Sequence, residues 1–294
     1  MILALSIGLL VLLYTFQSLF TKLYSMNYTG PATGHATAVF SICWGGFIGI
    51  VTLLMNGCVF TPSWQTVLWG LANAAMLWLY NTSLIQAGDR GSYAFVMVCM
   101  LFGGIIVPML FGIAFLGESL TLLQAAAIVL MLISFVIMNA RGISFKGASG
   151  KYYMWCAIVF VANGLYGTIM NAQQKLTGGM ENSEMIVVAY AGSALVVGLV
   201  YLLRGKLGEL GAAFRMGRKA ALCALGSCLV ATFASNLLMA LLGQMDSSIL
   251  YTIDNGGVLV LSALFSCLIF REKLRWEQWL GIGVATLSIV MISL

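Results

Sequence analysis

Among the nine acidic residues of the chain, Asp254 alone lies well inside a long apolar run, the stretch from Ser247 to Phe270. A carboxyl in hydrocarbon is costly, and what usually retains one is the binding of an ion, a proton or a substrate. Helical spacing sets Ser247, Tyr251, Asp254, Ser262 and Ser266 on one polar stripe. A competing reading makes Asp254 a strut that hydrogen-bonds a neighbouring helix and only holds a bundle together. Two further stripes hold Tyr14, Gln17 and Thr21, and Asn163, Tyr166, Met170 and Gln173; Asn73, Tyr80, Asn81 and Asn236 add more polar groups inside apolar runs. Hydrogen bonding between helices explains any one of them alone. Their concentration favours one shared cavity over separate struts.

Other chemistries lack their residues. The only histidine, His35, stands at the start of an apolar run, where it reads as an interfacial side chain. With one histidine, seven scattered cysteines and no CxxC pair, the chain has too few soft ligands for a metal, and an odd cysteine count is no disulfide framework. No GxxxxGK[ST] loop, HExxH pair or Ser/His/Asp triad is present, so we expect no ATP engine, no enzyme, no metal and no cofactor. The 14 Lys and Arg sit at run ends or in connections without forming a stripe, which excludes a nucleic-acid partner.

The elements that position these residues follow from composition. Of 294 residues, 61% are hydrophobic and 8% charged, with a mean hydropathy of +1.01, whereas soluble domains carry about 25% charge. The natural solvent of such a chain is a bilayer. A spanning helix needs about 20 apolar residues, and charges and Gly/Pro breaks divide the sequence into ten: Ile2 to Thr21, His35 to Leu54, Gln65 to Gln86, Gly91 to Leu116, Leu120 to Asn139, Tyr152 to Gln174, Met185 to Leu203, Ala220 to Gly243, Ser247 to Phe270 and Trp276 to Ser293. The first reads as a retained span, since it lacks the basic start and cleavage site of a signal peptide. Barrel strands are excluded because the runs are too long and do not alternate. Trp64, Trp155, Trp276 and Trp279 fall near span ends, where indole favours the interface. Small-residue spacings such as Gly45 with Gly49, and Gly104 with Pro108 and Gly112, suit close helix packing.

The second half repeats the first. Gly117-Glu118-Ser119-Leu120 through Gln124 matches Arg271-Glu272-Lys273-Leu274 through Gln278 at an offset of 154 residues; Gly103 falls on Gly257, Asn81 on Asn236 at 155, and Lys22 on Lys175 at 153. Five spans repeat, and five is odd, so the copies enter the membrane in opposite senses, as in many carriers whose substrate sits at the midplane between repeats. The expected architecture is an all-α membrane protein of ten helices in two inverted repeats, residues 1–140 and 152–294, joined by the connection 141–151. Under the repeat, Met100 is the counterpart of Asp254 and Met97 of Tyr251, giving a soft wall opposite a polar one; ordinary core filling also accounts for methionine. The corner acids Glu118 and Glu272 are read as braces of tight connections, not as catalytic groups.

Ten spans as five plus five, the Glu118-Ser119-Leu120 and Glu272-Lys273-Leu274 corners, Lys22 and Lys175 closing the first span of each half, and Tyr80-Asn81-Thr82-Ser83-Leu84 together resemble the drug/metabolite transporter superfamily with two EamA-like domains. Where that superfamily carries a proline ahead of the corner glutamate, Ile105 and Leu259 stand here, and Pro108 lies a turn on. The resemblance implies a carrier of small metabolites or drugs, most often an exporter, with a cavity between the halves. We therefore expect a monomeric secondary exporter in the cytoplasmic membrane that works by alternating access and is coupled to protons at Asp254. The pathway is expected to use Tyr14, Gln17, Asn81, Met97, Met100, Asn163, Tyr166, Asn236, Tyr251 and Asp254, and the partners are a small organic substrate and the lipid bilayer. A flippase of a lipid-linked substrate is the alternative, followed by a membrane scaffold or enzyme. Orientation divides the indications. Thirteen of the 14 basic residues fall on the side opposite the termini, which places the termini outside; the resemblance implies both inside. We side with the charges.

Overall fold

The structure, a computed structural model, describes residues 2–30, 35–146, 148–271 and 273–294. Glu272, which the sequence reading takes as a corner brace, lies outside the described residues. All regular structure within them is helical: α1 (Ile2–Asn27), α2 (Ala36–Met55), α3 (Trp64–Gly88), α4 (Tyr93–Phe115), α5 (Leu122–Asn139), α6 (Gly150–Thr177), α7 (Asn182–Leu203), α8 (Leu207–Ala213), α9 (Arg218–Leu242), α10 (Ser247–Phe270) and α11 (Trp276–Ile292). Eight of them are long and apolar enough to cross a membrane; α3, richer in amides, and the shorter α11 complete the ten long helices among the described residues.

Boundaries agree with the charge punctuation except where a helix outlasts its apolar run. The first runs on to Asn27 and the sixth to Thr177, because extending a helix satisfies backbone groups as well as water does. Starts are set by side chains: Ser63, Ser92 and Ser149 each accept from an N–H of the first turn, and Thr121 with Gln124 forms a reciprocal capping box. The fourth helix continues through Pro108. The short α8 was not foreseen, since two turns are too few to show periodicity; it buries Leu210 and Ala213 beside Tyr24 and Val39.

With short connections, the long helices alternate in direction. Both chain ends and the connections before α3, α5, α7 and α10 share one face, here the terminal face; the others share the opposite, basic face. Helix pairing follows a rule. The α1–α9 contact is mirrored by α3–α6, α4–α6 by α1–α10, α3–α7 by α2–α9, while α2–α7, α5–α11 and α4–α10 are their own counterparts. Gly103 and Gly257 show why the glycines recur: a Cβ on Gly103 would strike the backbone of Phe160 in α6, and one on Gly257 would strike Val11 in α1. Each lets the two helices touch at the same repeat position.

The fifth and last helices pair with each other, joined by Ser288 Oγ donating to the Ala127 carbonyl at 2.6 Å, and pack against α4 and α10 through Leu101, Ile105 and Val260. The other eight long helices enclose the centre.

Candidate functional site

That centre holds a cavity of about 460 Å³. Its walls come from α1, α2, α3, α4, α6, α7, α9 and α10, with no residue of α5 or α11. Eight of the ten residues expected on the pathway line it: Tyr14 and Gln17 from α1, Met97 and Met100 from α4, Asn163 and Tyr166 from α6, Tyr251 and Asp254 from α10. The other two do not. Asn236 donates to Thr52 Oγ1 at 3.0 Å and to the Thr232 carbonyl, tying α9 to α2, and Asn81 is not among the lining residues.

Most polar groups at the cavity wall are already paired. Tyr251 donates to the Gly167 carbonyl at 3.0 Å, Asn163 to the Met100 carbonyl at 2.8 Å, and Asn255 to the Tyr251 carbonyl at 2.8 Å. The Tyr166 and Tyr190 hydroxyls meet at 2.6 Å, and Tyr190 also reaches Ser235 at 2.9 Å. Two atoms break the pattern. Asp254, 8% exposed, has a buried Oδ1 with no hydrogen-bond partner, and the buried Trp44 Nε1 has none either. Native structures leave few buried polar atoms unsatisfied, and those few call for a reason. Here an acceptor and a donor are held unspent at the wall of a central space. No Lys or Arg is among the lining residues.

The stripes read from sequence divide in space. On α10, Tyr251, Asp254 and Ser262 face the cavity, whereas Ser247 is engaged by Glu118 and Ser266 accepts from Lys22 at 3.4 Å. On α6, Asn163 and Tyr166 face it, while Met170 packs in the core and Gln173 donates to Thr66 at 3.2 Å. Thr21 turns to Ser227 at 3.1 Å. Sequence reasoning missed Trp44, Tyr190 and Asn255. The Trp44 and Tyr190 rings meet edge-on at 5.1 Å between helices far apart in the chain, a contact no local pattern shows, and Asn255 was overshadowed by its acidic neighbour.

The two ends of the cavity differ. Toward the basic face it reaches Ser18, Met97 and Ser262, all partly exposed. Toward the terminal face Met170, Met185, Ile186, Met239 and Leu250 are fully buried, and beyond them lies a polar knot. There Glu118 Oε1 accepts from Ser247 N (3.0 Å), Ser247 Oγ (2.8 Å) and Asn171 Nδ2 (3.2 Å), and Oε2 from Ser248 N (3.3 Å) and Ser248 Oγ (2.6 Å). The carboxylate thus caps α10, whose own N-cap, Asp246, makes no side-chain cap. Burial pushes the Glu118 carboxyl up, but the hydrogen bonds from Ser248 and Ser247 outweigh it and hold the group below the ordinary carboxylate value. The expected brace is real, and it spans two halves instead of one corner. His35 lies elsewhere, on the basic face, with Nδ1 2.7 Å from the Tyr201 hydroxyl and Nε2 3.0 Å from Glu209.

Residues 153–294 match the model of the EamA-like transporter family. A solved crystal structure described only as that of a protein is similar in fold, with a TM-score of 0.75 at 14% identity over 98% of this chain and 95% of its own. No curated protein sequence matches the chain. The chain is a multi-pass, all-helical membrane protein whose second half, residues 153–294, is similar to the EamA-like transporter family.

Proposed function

We propose that the protein is a secondary exporter of small organic molecules across the cytoplasmic membrane, working by alternating access between two inverted repeats, residues 1–140 and 152–294. The mirrored helix pairs support the repeats, and the family match begins one residue past the proposed boundary. The observation that carries the reading is Asp254: a buried carboxyl with an unspent oxygen, in a central cavity that has no basic side chain in its lining. Such a group binds a proton or a cationic or donor-bearing substrate, and rejects an anion. Amphiphilic substrates suit the walls, with Met97 and Met100 opposite the polar face of α10.

Alternating access needs one end shut while the other is open. The Glu118 knot and the methionine-rich layer beneath it supply the shut end, and the partly exposed Ser18, Met97 and Ser262 supply the open one. With the basic face in the cytoplasm, this is the state in which an exporter loads. Proton exchange at Asp254 as the site changes sides then couples the cycle to the proton gradient. A lipid-linked anionic substrate finds no counter-charge in the lining, which disfavours the flippase reading.

The test is transport by purified protein in proteoliposomes, screened with amino acids, nucleobases, sugars and organic cations, with and without an imposed pH gradient. Movement of at least one neutral or cationic compound, accelerated by the gradient, is expected. Transport indifferent to the gradient removes proton coupling, and no transport of any compound removes the exporter.

A further inference from the structure

A second pocket, of about 290 Å³, opens where the end of α5 meets the start of α11, at the basic face and away from the central cavity. It is built from charge. Arg141, Lys273, Arg275 and Glu277 line it, so cations outnumber the one acid among the described residues. Arg141 Nε pairs with Glu277 Oε1, while the second oxygen, Oε2, is buried without any hydrogen-bond partner. Lys273 and Arg275 are exposed and form no ion pair among the described residues. Beside them Trp276 and Trp279 are 66% and 53% exposed, at the very start of an apolar helix. Indole rings left open at a span end belong to the headgroup layer of a bilayer, so this pocket sits at headgroup depth.

We infer that the pocket is a phospholipid site selective for a zwitterionic headgroup that carries a primary ammonium, as in phosphatidylethanolamine. The phosphate meets Lys273 and Arg275, as anionic groups do in basic pockets between spans. The ammonium meets the carboxylate of Glu277, which lines the pocket and has one oxygen that the fold leaves unspent. Choline has no N–H to give that oxygen, and glycerol has only neutral hydroxyls, so ethanolamine is preferred over both. The acyl chains run down the exposed flank of Trp279, Leu280 and Leu287. The assignment is independent of what the central cavity transports.

Native mass spectrometry of the delipidated protein, titrated with phosphatidylethanolamine, phosphatidylglycerol or phosphatidylcholine of the same acyl chains, tests it. Retention of phosphatidylethanolamine about fivefold or more above phosphatidylcholine is expected from one added charge-assisted hydrogen bond. Lys273→Gln with Arg275→Gln should weaken phosphatidylethanolamine and phosphatidylglycerol together. Glu277→Gln should weaken phosphatidylethanolamine alone. Should Glu277→Gln fail to fold for want of its pair with Arg141, Arg141→Gln breaks the same pair yet leaves the carboxylate to the ammonium, and retention should persist. Equal retention of the three lipids, variants that bind like the parent, or soluble phosphoethanolamine binding as tightly as the lipid each overturn the site.

Discussion

Glu118 accepts a hydrogen bond from Ser247, 129 residues further along the chain, at 2.8 Å. One carboxylate from the corner of the first half thereby caps the ninth long helix, which carries Asp254 and belongs to the second half. The closed end of the cavity and the helix bearing its unpaired acid are mechanically joined.

Replacing Glu118 by glutamine turns one of its two acceptor oxygens into an NH2 donor, so that the donors on that oxygen, a backbone N–H of α10 among them, lose their partner, at a cost of about 1–3 kcal/mol. Because its carboxyl lies below the ordinary value, its contribution is complete above that ordinary value and is lost as pH falls through the lower one. Thermal unfolding in detergent should show the parent losing stability in acid and the glutamine variant starting lower with a flatter acid limb. Parallel curves would remove Glu118 from the account.

Asp254→Asn keeps the side chain's shape and removes the titratable group. The variant should insert and purify like the parent, exchange substrate across proteoliposomes in counterflow, and fail to accumulate it against a gradient. Accumulation at the parent's level would end the coupling role, and a variant that does not fold would favour a structural one.

Single cysteines at Gln17, Met97, Asn163 and Ser262, in a background without the seven native cysteines, should react with a small polar thiol reagent and be protected by substrate. A cysteine at Asn236, facing Thr52 between α9 and α2, should stay unreactive. Equal reactivity at all five positions would mean that the cavity is not the water-accessible path.

Thirteen of the 14 basic residues lie at the basic face, and from the positive-inside bias we expect that face in the cytoplasm. A C-terminal reporter active only outside the cytoplasm should give signal, and one active only within should not. The reverse result restores the orientation that the resemblance implies.

Composition alone determined that this chain lives in a bilayer, because too few charges remain to cover a wetted surface, and charge spacing located ten long helices, with ends off by up to six residues. The solvent enforces both: hydrocarbon admits only satisfied backbone and expels charge to the ends of spans. Eight residues of the cavity lining were legible, six because a polar side chain inside an apolar run must be explained and Met97 and Met100 through the repeat. What only the tertiary structure decided is which of these polar groups were already satisfied. Asn236 and Asp254 look alike in sequence, each a polar residue in an apolar run, yet Asn236 finds Thr52 across a helix contact and Asp254 Oδ1 finds nothing. Nor did any local pattern reveal Trp44 or Tyr190 as cavity walls, or show that Glu118 reaches to α10. Helical periodicity fixes the face a side chain takes on its own helix, while its partner is chosen by helices distant in the chain, and that choice separates a strut from a site.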